Sequence, residues 1–282
     1  MEPNQAASQT ALGTAYLRAV HQLLDGDPKL LDDPVAVPLL GPDTLARIQA
    51  NLDSYRTQIA EALRAHVVLR SRFAEDRLAE AVGRGVTQYI LLGAGLDTFA
   101  FRQPAWAQSL RILEVDHVQT QLLKRQLIDA ADLSAPANVS YLSVDFERES
   151  LQEGLLRHDV ALDEPTFFSW LGVTMYLHEP AIDAVLRFVA SFPAGSEIVL
   201  TFSQPPDEKS DSGSAWVAAR TAAMNEPMVS FFTPAAMEIK LRRAGFTSID
   251  FLSPKESEIR YFSQRPLDLP VPKRTAIVAA QV

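Results

Sequence analysis

Cysteine is absent from the 282-residue chain, so disulfide scaffolds, thiol nucleophiles, iron–sulfur clusters and cysteine-held zinc are all excluded. Nor is there a run of roughly 18 consecutive apolar residues, the length a membrane span needs. The opening MEPNQAASQT lacks the basic-then-apolar order of a secretory signal, so a cytoplasmic protein without a membrane partner is expected. Positive charge is also short: 26 Lys and Arg against 35 Asp and Glu leave a formal net charge of -9. That balance disfavours nucleic acid and anionic lipid as partners and points to a small molecule or a protein. No GxxxxGK[ST] phosphate loop occurs. His21, His66, His117, His158 and His178 fall into no compact ligand spacing, so no metal is expected.

What is present suffices for a sizeable core, since 47% of the residues are apolar. Residues 1–82 read as helical. Their last run carries Ile59, Leu63, Val67, Phe73 and Leu78 near helical spacing, and the whole segment is expected to be an N-terminal cap. From residue 83 the period changes. VTQYILLG, LRILEV, NVSYLSV, TFFSWLGV and EIVLTFS are candidate strands separated by helical stretches, which predicts a mostly parallel sheet covered on both faces. The tail offers a helix, PAAMEIKLRRAG, and two late strands, FTSIDFL and TAIVAAQV, without an obvious helix between them. An antiparallel pair at one edge is expected. Residues 204–232 begin polar and Pro-rich and turn helical around Trp216; they read as a substrate lid or as a plain surface excursion.

The first strand runs into Gly93-Ala94-Gly95. Glycines there let backbone approach a ligand closely, and the amides that follow are unpaired donors. The second strand ends at Glu114, nineteen residues after Gly95, with Asp116 two positions on. An acid at that edge accepts from ribose hydroxyls in α/β nucleotide sites. Either carboxylate could instead cap the next helix, and Asp116 is better placed to do so. The third strand ends in Asp145-Phe146, where a carboxylate can accept from an adenine amine and a ring can pack on the base; a loop cap is the plainer reading. Thr98 stands where a dinucleotide fingerprint would have its third glycine, which favours S-adenosylmethionine over NAD as cofactor.

The strings LLGAGLDTFAFR, LEVDHVQTQLLKR, SVDF and SWLGVTMYL together resemble the class I S-adenosylmethionine-dependent methyltransferases of the leucine carboxyl methyltransferase family, especially its bacterial branch. The resemblance covers nearly the whole chain. It implies an α/β, Rossmann-like, seven-stranded and mostly parallel sheet with an antiparallel last strand, a helical N-terminal cap and a substrate-covering insertion. It also implies that Gly93, Ala94 and Gly95 lie beside the methionine part of the cofactor, that Glu114 holds the ribose with Asp116 close by, and that Asp145 and Phe146 border the adenine. The cofactor carboxylate would meet an arginine; matching Phe73-Ala74 to the family pattern selects Arg70 over Arg72, and two parallel hydrogen bonds are the reason for a guanidinium there. The chain departs from many members in having Phe99 after GLDT and Leu171, rather than Glu, before Gly172.

The chemistry expected is methyl transfer to an oxygen of a small metabolite, a carboxylate or a hydroxyl. No catalytic base stands out. His178, at a helix start, is better explained by that helix end. Trp170, Leu171, Tyr176 and Trp216 are candidate walls of the acceptor site, with core packing as the alternative for the aromatic residues. A non-catalytic S-adenosylmethionine-binding homologue and a nicotinamide oxidoreductase are the competing readings.

Overall fold

The computed structural model of the protein describes residues 7–158, 160–205 and 212–282. The chain opens with α1 (Gln9–Leu24), the short helices α2 (Ala36–Leu39), α3 (Thr44–Ala50) and α4 (Leu52–Tyr55), and the long α5 (Gln58–Gly83). Side-chain oxygens start the two long helices: Ser8 accepts from Ala11 N and Thr57 from Ala60 N, satisfying amides that have no partner within the first turn. Pro28, Pro34, Pro38 and Pro42 punctuate the first part of the segment between them, where the helices are short.

There follow β1 (Gln88–Leu92), β2 (Arg111–Asp116), α6 (Val118–Ala130), β3 (Val139–Ser143), α7 (Leu151–Leu155), β4 (Thr166–Trp170), α8 (Glu179–Val189) and β5 (Glu197–Thr201). The tail adds α9 (Ser212–Ala223), α10 (Pro234–Ala244), β6 (Ser248–Phe251), α11 (Pro254–Ser257) and β7 (Ile277–Gln281). The seven strands form one sheet in the order β3-β2-β1-β4-β5-β7-β6. The first five pair in parallel, and β7 runs antiparallel between β5 and β6. This is the Rossmann-like arrangement of class I methyltransferases, as expected, with one refinement: the last strand is inserted beside β5, and β6 forms the edge.

Alternation along the strands divides the core. Tyr89, Leu91, Ile112, Phe167 and Val199 pack on one side with Val68, Leu69 and Phe73 of α5. Ile90, Leu92, Leu113, Phe168, Trp170 and Leu200 pack on the other with Ile182 and Leu186 of α8 and Met237 and Leu241 of α10. Leu30 and Leu31 join the first cluster. The helical N-terminal segment is therefore a layer of the same core, and α5 covers one face of the sheet.

Strand order turns at β1, which has β2 on one side and β4 on the other. A crevice beyond the carboxyl ends of these strands is where such sheets bind ligands.

Candidate active site

A cavity of about 870 Å³ opens at those strand ends. Its floor is the glycine turn. Gly93 and Gly95 have φ of 67° and 53°, values that glycine adopts without a side-chain penalty. Gly93 N and Ala94 N both donate to Val115 O, at 2.8 and 3.1 Å, which ties the turn to β2. Gly95 N donates to Asp116 Oδ2 at 2.5 Å, and His117 N donates to Asp116 Oδ1 at 2.6 Å. Asp116 thus holds the turn and lines the cavity. Burial raises its pKa, and the two amides work against that rise.

Glu114 does not share that position. Its carboxylate is buried in an ion pair with Lys124 of α6, at 2.5 Å, and it lies outside the cavity wall. Burial raises its pKa even with the ammonium beside it, and its Oε1 has no hydrogen-bond partner. The two acids are two residues apart on β2 and so share a face; the lysine on α6 takes the inner one. Of the two acids, Asp116 lines the cavity and Glu114 does not. The expectation from the sequence puts Glu114 on the ribose with Asp116 close by.

Asp145 and Phe146 line the cavity past the end of β3. Asp145 Oδ1 accepts from Glu147 N at 3.1 Å, the loop cap foreseen as its plainer role, while the side chain still borders the cavity. Phe146 rests on Trp170 with ring centroids 6.2 Å apart.

Arg70 reaches the cavity from α5. No carboxylate or hydrogen-bond acceptor pairs with its guanidinium among the described residues. Burial, and secondarily the charge of Arg18, pull its pKa down to about 10; a cation in that setting gains from an incoming anion. Arg72 is elsewhere: 46% exposed in its side chain and paired with Asp76 at 2.8 Å. Of the two arginines the family pattern brings into question, Arg70 lines the cavity and Arg72 does not.

Of the candidate acceptor-site residues, Leu171 and Tyr176 line the cavity. Trp170 does not, because its place on β4 turns it to the opposite face of the sheet, where it is fully buried. Trp216 also lies off the cavity wall, 43% exposed on α9 with Arg220 stacked over its ring. His178 is exposed and bonded to Glu147 through its backbone amide at 2.7 Å. It precedes α8, and its side chain makes no capping bond.

Several cavity residues carry no motif. Arg18 of α1 donates to Asp97 at 2.7 Å and to Ser71 at 2.6 Å beside the glycine turn. Against its burial, the charges of Arg18, Arg102 and Lys124 hold the Asp97 pKa down at about 2. The one signal in the sequence was an arginine on the small, apolar face of α1. Glu226, from the insertion, meets the start of α1: Gln9 N donates to it at 2.6 Å, Ser8 Oγ at 3.0 Å, and Thr10 through both amide and hydroxyl.

Comparisons with known proteins give the family and the fold. The sequence profile described as leucine carboxyl methyltransferase matches residues 11–190. YktD of Bacillus subtilis, whose name proposes an S-adenosyl-L-methionine-dependent methyltransferase, is 31% identical over 94% of this chain and 94% of its own. A Streptomyces coelicolor protein with the same proposed activity in its name is 31% identical over 68% of both chains. In fold, a DUF574 family protein from Streptomyces avermitilis superposes with a TM-score of 0.58 at 18% identity, covering 98% of this chain and 97% of the other. The chain belongs to the leucine carboxyl methyltransferase family and is a class I methyltransferase that depends on S-adenosylmethionine. The nicotinamide reading falls with that membership.

Proposed function

We propose that the enzyme transfers the methyl group of S-adenosylmethionine to an oxygen of a small metabolite, a carboxylate or a hydroxyl, inside the cavity at the ends of β1, β2 and β4. The observation that carries the placement is the unpaired guanidinium of Arg70 facing the same space as the Gly93–Gly95 turn and Asp116. These groups fit the cofactor's donor and acceptor set: Arg70 for the carboxylate, the turn for close approach of the methionine part, Asp116 for the ribose hydroxyls, and Asp145 with Phe146 for the adenine. When bound, S-adenosylmethionine supplies a methyl group already activated by its sulfonium. The protein then has to align an acceptor and exclude water.

Leu171 and Tyr176 stand on the wall nearest the β4 end and are assigned here to the acceptor. Residues 204–232 are assigned as the lid; residues 206–211 of that stretch lie outside the described residues. Glu226 clasps the first turn of α1, and Val229 N and Ser230 N both donate to Met175 O. Met224, Asn225 and Glu226 of this stretch line the cavity between α1 and the β4–α8 turn, and this supports the lid reading and a small acceptor. The histidine among the described residues on the cavity wall, His117, is engaged as the cap of α6, its Nδ1 accepting from Gln119 N at 3.3 Å, which favours an acceptor oxygen ionised at neutral pH, as a carboxylate is.

Incubating the enzyme with S-adenosylmethionine and a panel of small carboxylic acids, phenols and alcohols tests the proposal. Methyl esters or ethers accompanied by equal S-adenosylhomocysteine are expected. Transfer confined to amines would overturn it. Cofactor binding without transfer to any acceptor would favour the non-catalytic reading.

A further inference from the structure

Arg70 is held at the cavity by an absence. A Cβ built at Gly172, just past β4, would lie 2.6 Å from Arg70 Nη1, 2.8 Å from Nη2 and 2.9 Å from Cζ. The three nearest heavy atoms such a methyl would meet all belong to the guanidinium, so the head group lies against bare backbone. That backbone is pinned from β5: Gly172 N donates to Thr201 Oγ1 at 2.7 Å, and Thr174 Oγ1 donates to Thr201 O at 2.7 Å. Thr201 is fully buried. Gly172 has a φ of 77°, which a residue with a Cβ adopts under strain. Arg18 is committed to Asp97 and Ser71. No described carboxylate holds Arg70 in place, so the space at Gly172 decides where its donors point.

We infer that Gly172 is a positioning residue: by leaving room for the Arg70 head group it sets the receptor for the cofactor's amino-acid carboxylate. The site thereby selects adenosine thioethers that carry an amino acid over those that lack one. The inference rests on the cofactor placement proposed above and adds a second residue to it. A methyl at 172 would push the end of a flexible side chain, leaving the glycine turn, Asp116 and the adenine edge untouched.

The test compares two ligands by isothermal titration calorimetry on the full chain. S-adenosylhomocysteine has the amino-acid group, and 5′-methylthioadenosine shares the nucleoside and the thioether without it. In Gly172→Ala, affinity for S-adenosylhomocysteine is expected to fall at least tenfold and that for 5′-methylthioadenosine to stay within about threefold. Arg70→Ala should show the same pattern, and the double variant should lose no more than either alone, as residues acting through one contact do. Equal losses for the two ligands, additive losses in the double variant, or an unchanged S-adenosylhomocysteine affinity would each overturn the inference while leaving the cofactor placement intact. Failure of the unsubstituted protein to bind either ligand would overturn that placement itself. Should Gly172→Ala fail to fold under the strain of its positive φ, Gly172→Asn, a residue type that tolerates positive φ, brings the same Cβ against Arg70 and takes its place in the comparison; equal losses for the two ligands in that variant would likewise overturn the inference.

Discussion

Arg70 and Arg72 are two residues apart on one helix, yet one faces a cavity without a counter-ion and the other faces solvent with one. Charge-assisted hydrogen bonds contribute roughly 1.5–3 kcal/mol, so Arg70→Ala should weaken S-adenosylhomocysteine binding by about ten- to a hundredfold. An exposed pair contributes little, so Arg72→Ala should leave it within about twofold. Similar losses in the two variants would contradict the assignment. The β2 acids separate in the same way. Asp116→Ala should weaken binding, whereas Glu114→Gln should leave it largely intact and destabilise the fold, by about 3–5 kcal/mol in the manner of a broken buried pair, read as a lower denaturant midpoint. If Glu114→Gln abolished binding at unchanged stability, Glu114 would be the ribose ligand after all. The spacing after Gly95 located both acids but could not rank them, because the partner that decides, Lys124, comes from α6 and belongs to no motif. Trp170 shows the reverse case: parity along β4 separates it from the face of Leu91 and Phe167, so its burial was readable in principle.

At the scale of elements, the strands and main helices follow from period and punctuation, and the central strands are apolar on both faces because both are covered. Residues 204–232 stand out in composition, which is why they read as an insertion. Their anchoring was not legible, since one glutamate without a pattern, Glu226, makes the contacts to α1. That clasp predicts a kinetic effect. Glu226→Ala should raise the dissociation rate of S-adenosylhomocysteine several-fold in stopped-flow measurements and speed hydrogen exchange at Gln9 and Thr10, with the fold otherwise unchanged. Unaltered exchange and dissociation would mean that the insertion does not close the cavity.

For the whole molecule, the family resemblance and the strand pattern give the sheet, whereas the placement of β7 between β5 and β6 depends on pairing that local sequence does not encode. Stability should also respond to pH through α5. Burial, and then the charge of Arg70, depress the pKa of His66 to about 3, below the 6.5 of an unfolded chain. The fold favours the neutral ring, so this contribution is complete above about pH 6.5 and is lost as pH falls towards 3. Against His66→Asn, the unsubstituted protein should lose up to about 1.4 kcal/mol more per pH unit across that interval, measured by denaturant unfolding. Parallel curves would show that His66 does not titrate in this way.

A crystal structure with S-adenosylhomocysteine bound tests the central claim most directly. The account predicts the amino-acid carboxylate on Arg70, the ribose hydroxyls on Asp116 and the base between Asp145 and Phe146, with the Glu114–Lys124 pair undisturbed. A nucleoside bound away from the Gly93–Gly95 turn, or a carboxylate that leaves Arg70 uncontacted, would contradict it.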